Sequence, residues 1–265
     1  MRTGSCLARL LAVLPTIGLL LLLFCPVGWS GQEESTRQPV LVELFTSESC
    51  SSCPPADALL ARLDRQQYIA GVRAIVLSEH VTYWNDLGWK DPFSKPELTE
   101  RQRRYGDQFH LEGPYTPQMV VNGRWEFVGS DAAALAKVMQ EAADEARRHP
   151  PVEIRIENLQ VDRKTLHATI QVDPGSGARL FAVLAADTPP AHVPRGENAG
   201  KTLGHVAVVL SLLELATPFR DHLLALPLAA DTPVKMRLIL FLQDGKTGRV
   251  LGSTEIMFDR SKASV

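Results

Sequence analysis

Cys50 and Cys53 stand two residues apart, a spacing that closes a small disulfide ring when the first cysteine sits at a helix start and the second lies one turn in. Before them, Val40-Leu41-Val42-Glu43-Leu44-Phe45 is an apolar run with a single charge and reads as a buried strand. After them, Pro54 suits a first helical turn, and Leu59, Leu60 and Leu63 fall on one helical face. The unpaired N–H groups of such a helix start favour a thiolate, lowering its pKa from about 8.5 to between roughly 3.5 and 7.5. Cys50, the sulfur expected to be exposed at the helix tip, is therefore the expected attacker, and Cys53 the resolving thiol. The same pair also admits a structural disulfide or half of a zinc site. Zinc needs about four ligands, and the chain has no second pair of close cysteines and no histidines at ligand spacing.

The elements that must position this pair follow from the hydrophobic pattern. Val72 to Leu77 is a second apolar strand, so strand, helix and strand in succession predict a parallel crossover. Glu79 to Gly113 reads as an aromatic-rich insertion, partly helical from Pro96 to about Phe109. Gln118–Val121, the Asn122-Gly123 turn and Trp125–Val128 make a hairpin. Ser130 or Asp131 then caps a helix with Leu135, Val138, Met139 and Ala142 inward, and Arg147 and Arg148 suit its negative end. Pro150-Pro151 stops it. Beyond lie strand candidates at Val152–Ile156, Leu166–Val172, Leu180–Ala185, His205–Leu212, Val234–Gln243 and Leu251–Phe258. They predict a mainly antiparallel, β-sandwich-like C-terminal domain. The expected organisation is a leader at 1–30, a spacer at 31–38, an α/β domain at 39–149 and a β-rich domain at 151–260.

Arg2 and Arg9 precede an uncharged, Leu-rich run ending in Gly28-Trp29-Ser30, the layout of a cleaved signal peptide. The alternative is an uncleaved anchor through residues 10–29, long enough to reach across a bilayer core of roughly 30 Å. Either way the chain is expected to work on the exported side, periplasmic or secreted. Of four cysteines, Cys6 and Cys25 lie in the leader, so the mature chain keeps only Cys50 and Cys53, a pair that an oxidising compartment allows to cycle. Net charge is −2, and nucleic acid is not an expected partner.

As a set, Val42-Glu43-Leu44-Phe45-Thr46-Ser47, Cys50-Ser51-Ser52-Cys53-Pro54-Pro55-Ala56-Asp57, Tyr83-Trp84, Leu87-Gly88-Trp89-Lys90-Asp91-Pro92-Phe93 and Tyr115-Thr116-Pro117-Gln118-Met119-Val120-Val121 resemble a known family. The segment Val40–Arg148 resembles the thioredoxin superfamily, and within it an uncharacterised group of secreted bacterial thioredoxin-like proteins known as a domain of unknown function. The resemblance implies a thioredoxin-like fold and a thiol–disulfide oxidoreductase acting on protein or small-molecule thiols and disulfides. A membrane or periplasmic redox partner goes with it. It needs no cofactor beyond the disulfide. It implies that Pro117 is a cis-proline packed against the disulfide, leaving the Thr116 backbone open to an extended substrate. It further implies that Glu43 is a buried acid beneath the cysteines, able to take the proton of the resolving thiol. Tyr83, Trp84, Trp89 and Phe93 would line a substrate groove, or simply pack a lid. Ser-Ser between the cysteines departs from the family's better-known dipeptides, so the potential is open between about −270 and about −120 mV.

Three further signals have alternatives. His80 follows the second strand and could join Cys50 and Cys53 in a copper-binding or copper-delivery site, since thiolate and imidazole suit copper. A satisfied strand-end histidine is the simpler reading. Gly196-Glu197-Asn198-Ala199-Gly200-Lys201-Thr202 resembles a phosphate loop but is one residue short and runs into a strand rather than a helix. Arg101, Arg103 and Arg104, interspersed with acids, read as a solvated helix face. A non-enzymatic binding module, its disulfide purely structural, is the remaining function class.

Overall fold

The computed structural model describes residues 37–262 apart from 163, 174, 176 and 216–220, so the expected leader lies outside the described residues. Among those described, no helix is long and apolar enough to cross a membrane.

Strand β1 (Gln38–Thr46) lies parallel to β2 (Val72–His80), with helix α1 (Pro54–Gln66) between them in sequence. Gln67 ends the helix in the left-handed region and bonds through its side chain to both backbone groups of Ala74, which fixes helix and strand to each other. Helix α2 (Pro96–Phe109) follows, then the hairpin β3 (Gln118–Val121) and β4 (Trp125–Val128), with β3 antiparallel to β1. Asp131 caps α3 (Ala132–Arg148) by accepting the N–H groups of Ala133 and Ala134.

After the prolines come β5 (Ile154–Val161), β6 (Thr165–Val172), β7 (Ala178–Ala186), the two-residue strands β8 (Ala191–His192) and β9 (Thr202–Leu203), and then β10 (Val208–Leu215), β11 (His222–Pro227), β12 (Lys235–Asp244) and β13 (Val250–Asp259). The expected C-terminal sandwich needs correcting here. Four of these strands extend the first sheet, giving one mixed eight-stranded sheet in the order β13-β12-β7-β10-β2-β1-β3-β4. The seam is a single parallel register pair, Val208 with Ser78. The physical reason lies in burial: β7 and β12 are apolar on both faces, as strands in the middle of a covered sheet must be. Leu180, Ala182, Leu184, Leu238, Leu240 and Leu242 face a separate three-stranded sheet, β11-β6-β5. Phe181, Val183, Ala185, Ile239 and Phe241 face the core shared with β1, β2 and the helices. A sandwich does form, but one of its layers is the continuation of the first region's sheet. Strand β10 begins at Val208, later than expected, because Ala207 adopts φ 46° and interrupts the extended backbone.

Candidate functional site around the Cys50–Cys53 disulfide

Strand β1 ends at Thr46 and the chain turns at once, with the Cys50 N–H donating to the Ser47 carbonyl at 3.1 Å and the Cys53 N–H to the Cys50 carbonyl at 3.2 Å. Cys50 and Cys53 form a disulfide with their Cα atoms 5.4 Å apart. Cys53 is the N-cap of α1 and makes no side-chain cap bond, so the helix start directs N–H groups and partial positive charge toward the sulfurs. Ser52 Oγ lies 3.3 Å from Cys50 Sγ and 3.5 Å from the Thr116 carbonyl oxygen. The Thr116–Pro117 peptide bond is cis, and Trp84 Nε1 donates to Thr116 Oγ1 at 2.8 Å. Cys50, Cys53, Thr116, Pro117 and Trp84 are therefore brought together, and Tyr83 packs beside Trp84 with ring centroids 6.3 Å apart.

The exposed attacking sulfur expected of Cys50 is not found: both cysteines are fully buried. The turn that carries them is bonded by a loop from much later in the sequence. Strands β8 and β9 form a small hairpin whose loop reaches the disulfide turn. Asn198 Nδ2 donates to the carbonyls of Glu48 and Cys50 at 2.8 and 2.9 Å, and Lys201 Nζ donates to Asn198 Oδ1 at 2.8 Å. Glu197 Oε2 accepts the Ser51 N–H at 3.0 Å. Gly196, at φ 78°, sits so close to Trp89 that a Cβ there would lie 3.0 Å from the Trp89 Cβ. This is the stretch that resembles a short phosphate loop in sequence.

A buried ionisable cluster lies under the same turn. Asp57 is one helical turn beyond Cys53 and on its face, and its Oδ1 accepts from Thr46 Oγ1 at 2.9 Å. The His205 ring is buried between two carboxylates, with Nε2 3.6 Å from Glu48 and Nδ1 3.7 Å from Asp57. Burial opposes its charge, but the two carboxylates prevail and lift its pKa to about 9, so it is an imidazolium at neutral pH. Trp89 Nε1 donates to Glu48 Oε2 at 2.8 Å. His80 meets His205 edge to face at 4.6 Å, and its Nδ1 lies 2.7 Å from Asp91. Burial works against ionisation of Asp91, yet His80 and the N–H groups of Glu48 and Phe93 hold its pKa below the usual value. His80 is thus a buried member of a histidine pair. Among the described residues no group of three or more His, Cys, Asp or Glu side chains is arranged to hold a metal ion.

Glu43 does not fill the role that the resemblance implies. Side chains alternate along β1, so Glu43 lies on the face opposite Thr46, whose hydroxyl meets Asp57. Its carboxylate instead accepts from Arg101 Nε and the Tyr105 hydroxyl, each at 2.6 Å. Arg101, far from being solvated, is buried on the rings of Tyr105, Phe181 and Phe241. Its own burial disfavours its charge, but Glu43 leads the groups that raise its pKa. Glu79 completes this second cluster; burial first, then the charge of Glu43, raise its pKa well above the usual carboxylate value. Arg103 and Arg104 are exposed, as expected.

Sequence reasoning missed Glu48, Asp57, Asp91, Glu197, Asn198 and His205. Asp57 carried a usable signal, its i+4 spacing from Cys53; Asn198 and His205 are joined to the site only by the fold.

A comparison with curated proteins finds no match. Among solved structures, the crystal structure of protein AGR_C_4864 from Agrobacterium tumefaciens is similar over 86% of this chain and 97% of that one, with 24% identity and a TM-score of 0.60, a likeness of fold. OgpA from Akkermansia muciniphila aligns over 42% of this chain and 30% of its own, at 8% identity and a TM-score of 0.27, too low to carry an argument. The family described as Protein of unknown function (DUF1223) matches residues 41–243, and the chain belongs to that family.

Proposed function

We propose that the chain is an exported thiol–disulfide oxidoreductase, with a thioredoxin-like first region and the Cys50–Cys53 pair as its redox centre. The observation that carries this reading is a disulfide whose second cysteine is the N-cap of α1, beside the Thr116–Pro117 loop. In the reduced protein, Cys50 thiolate attacks a target disulfide, forming a Cys50–target bond and releasing one target thiolate. Cys53 thiolate then attacks Cys50 Sγ, releasing the second target thiolate and restoring the intramolecular disulfide. Asp57, one turn beyond Cys53, is the acid nearest the resolving thiol in the helix and takes the part first assigned to Glu43.

The test is a trap. Cys53→Ser, incubated with oxidised peptides, is expected to accumulate a covalent Cys50–peptide adduct visible by mass spectrometry without reductant. Absence of any such adduct sinks the reading.

A second reading, a structural disulfide in a non-enzymatic module, is favoured by the complete burial of both sulfurs. On that reading the native disulfide resists reduction, with a potential below about −300 mV.

A further inference from the structure

Three backbone groups flank the disulfide: the carbonyls of Glu48 and Cys50 and the N–H of Ser51. Each is bonded by a side chain of the β8–β9 loop, the two carbonyls by Asn198 and the N–H by Glu197. Strands β8 and β9 pair only with each other, in a sheet of their own. The hairpin is clasped at its base, where the Thr188 N–H donates to the His205 carbonyl and the His205 N–H to Thr188 Oγ1. The ladder of the main sheet does not include it.

We propose that Glu197 and Asn198 form a gate that stands in for a substrate polypeptide, so that the Cys50–Cys53 pair exchanges with thiols carried on extended chains and is closed to small ones. A small thiol that displaces Asn198 leaves two carbonyls without donors in a buried site. An extended polypeptide brings N–H and C=O groups in alternation and replaces what it displaces. Once the gate opens, a substrate thiolate attacks Cys50 Sγ, the Cys50–Cys53 bond breaks and Cys53 leaves as thiolate. A second substrate thiolate then attacks the substrate sulfur of the mixed disulfide. The substrate loses two electrons and becomes a disulfide; the protein gains them and becomes a dithiol. This rests on the oxidoreductase reading for the identity of the substrate, but the barrier itself does not depend on it.

The experiment uses the full-length oxidised protein and two reductants, dithiothreitol and an unstructured decapeptide bearing two cysteines. Disulfide loss is followed by alkylation quench and mass spectrometry. Glu197 is exposed, so Glu197→Ala folds and should speed reduction by dithiothreitol about threefold, and Asn198→Ala about tenfold, the size expected for one and two lost hydrogen bonds. The wild type should prefer the peptide, and the preference should shrink by the same factors in the variants. Rates with dithiothreitol within about twofold of wild type for folded Glu197→Ala and Asn198→Ala would overturn the gate. So would equal wild-type rates with the two reductants at matched thiolate concentration. Should the gate variants behave as expected while Cys53→Ser captures no peptide, the oxidoreductase reading fails and the barrier stands.

Discussion

The two buried ionisable clusters make opposite demands on the residues that form them. On the α2 side of the sheet, Arg101 pairs with Glu43 in a buried site, and the geometry supplies both the ion pair and the Tyr105 hydrogen bond. Arg101→Met would leave Glu43 buried without its partner, and about 3–5 kcal/mol of stability should be lost in urea denaturation. On the disulfide side, His205 carries a charge because Glu48 and Asp57 hold it. Its pKa rises from 6.5 to about 9 on folding, so its contribution is complete below about pH 6.5 and is lost as pH rises through about 9. The groups facing it are Glu48, Asp57 and the neighbouring His80. Folding stability should therefore fall between pH 6.5 and 9 by on the order of 3 kcal/mol, lowering the melting temperature, and thermal scans of His205→Gln should show a flatter profile over that range. A wild-type profile as flat as that of the variant would show His205 to be neutral in the folded state.

At the scale of elements, what is local in sequence was legible and what is long-range was not. Helix α2 runs from Pro96 to Phe109, as the proline start and the pattern predicted, and β3 and β4 match the expected hairpin at both ends. The cap of α3 is Asp131, whose carboxylate alone reaches two of the free N–H groups. Each of these rests on contacts a few residues apart. The short strands β8 and β9 carry too little pattern to announce themselves, and β11 passed unnoticed because its exposed positions, Leu223 and Ala225, are apolar like the buried ones and hide the alternation. Glu43 was misread for a related reason. A lone acid in an apolar strand marks a buried partner, but which face of the sheet holds that partner depends on register with α2, and no spacing within β1 reveals it. The cysteine pair was expected with Cys50 at the helix start and Cys53 one turn in; the disulfide forms, with Cys53 as the N-cap and Cys50 ahead of the helix. Its burial was not expected, and the loop that bonds its turn, set aside in sequence as a short phosphate loop, is brought there only by the fold.

At the scale of the molecule, the two regions are welded. Arg237 on β12 bonds Asp64 of α1 with both terminal nitrogens, at 2.6 and 2.9 Å, and also reaches Asp187. Asn122 in the β3–β4 turn accepts from Leu41 through its side chain and from Val250 through its carbonyl. Phe181 and Phe241, from β7 and β12, pack their rings on the Arg101 guanidinium that pairs with Glu43. A chain truncated after Pro150 would lose those rings and bare the edge of β2 that β10 covers, so it should lack a near-UV circular dichroism signal and associate on gel filtration. A well-dispersed monomer would contradict the welded picture. The loop bonded to the disulfide turn also carries a schedule. Asn198 follows Cys50 by 148 residues, and ribosomes build chains from the N-terminus. Until the last third of the polypeptide has been made, the turn that carries the two thiols lacks the bonds that Glu197 and Asn198 give it.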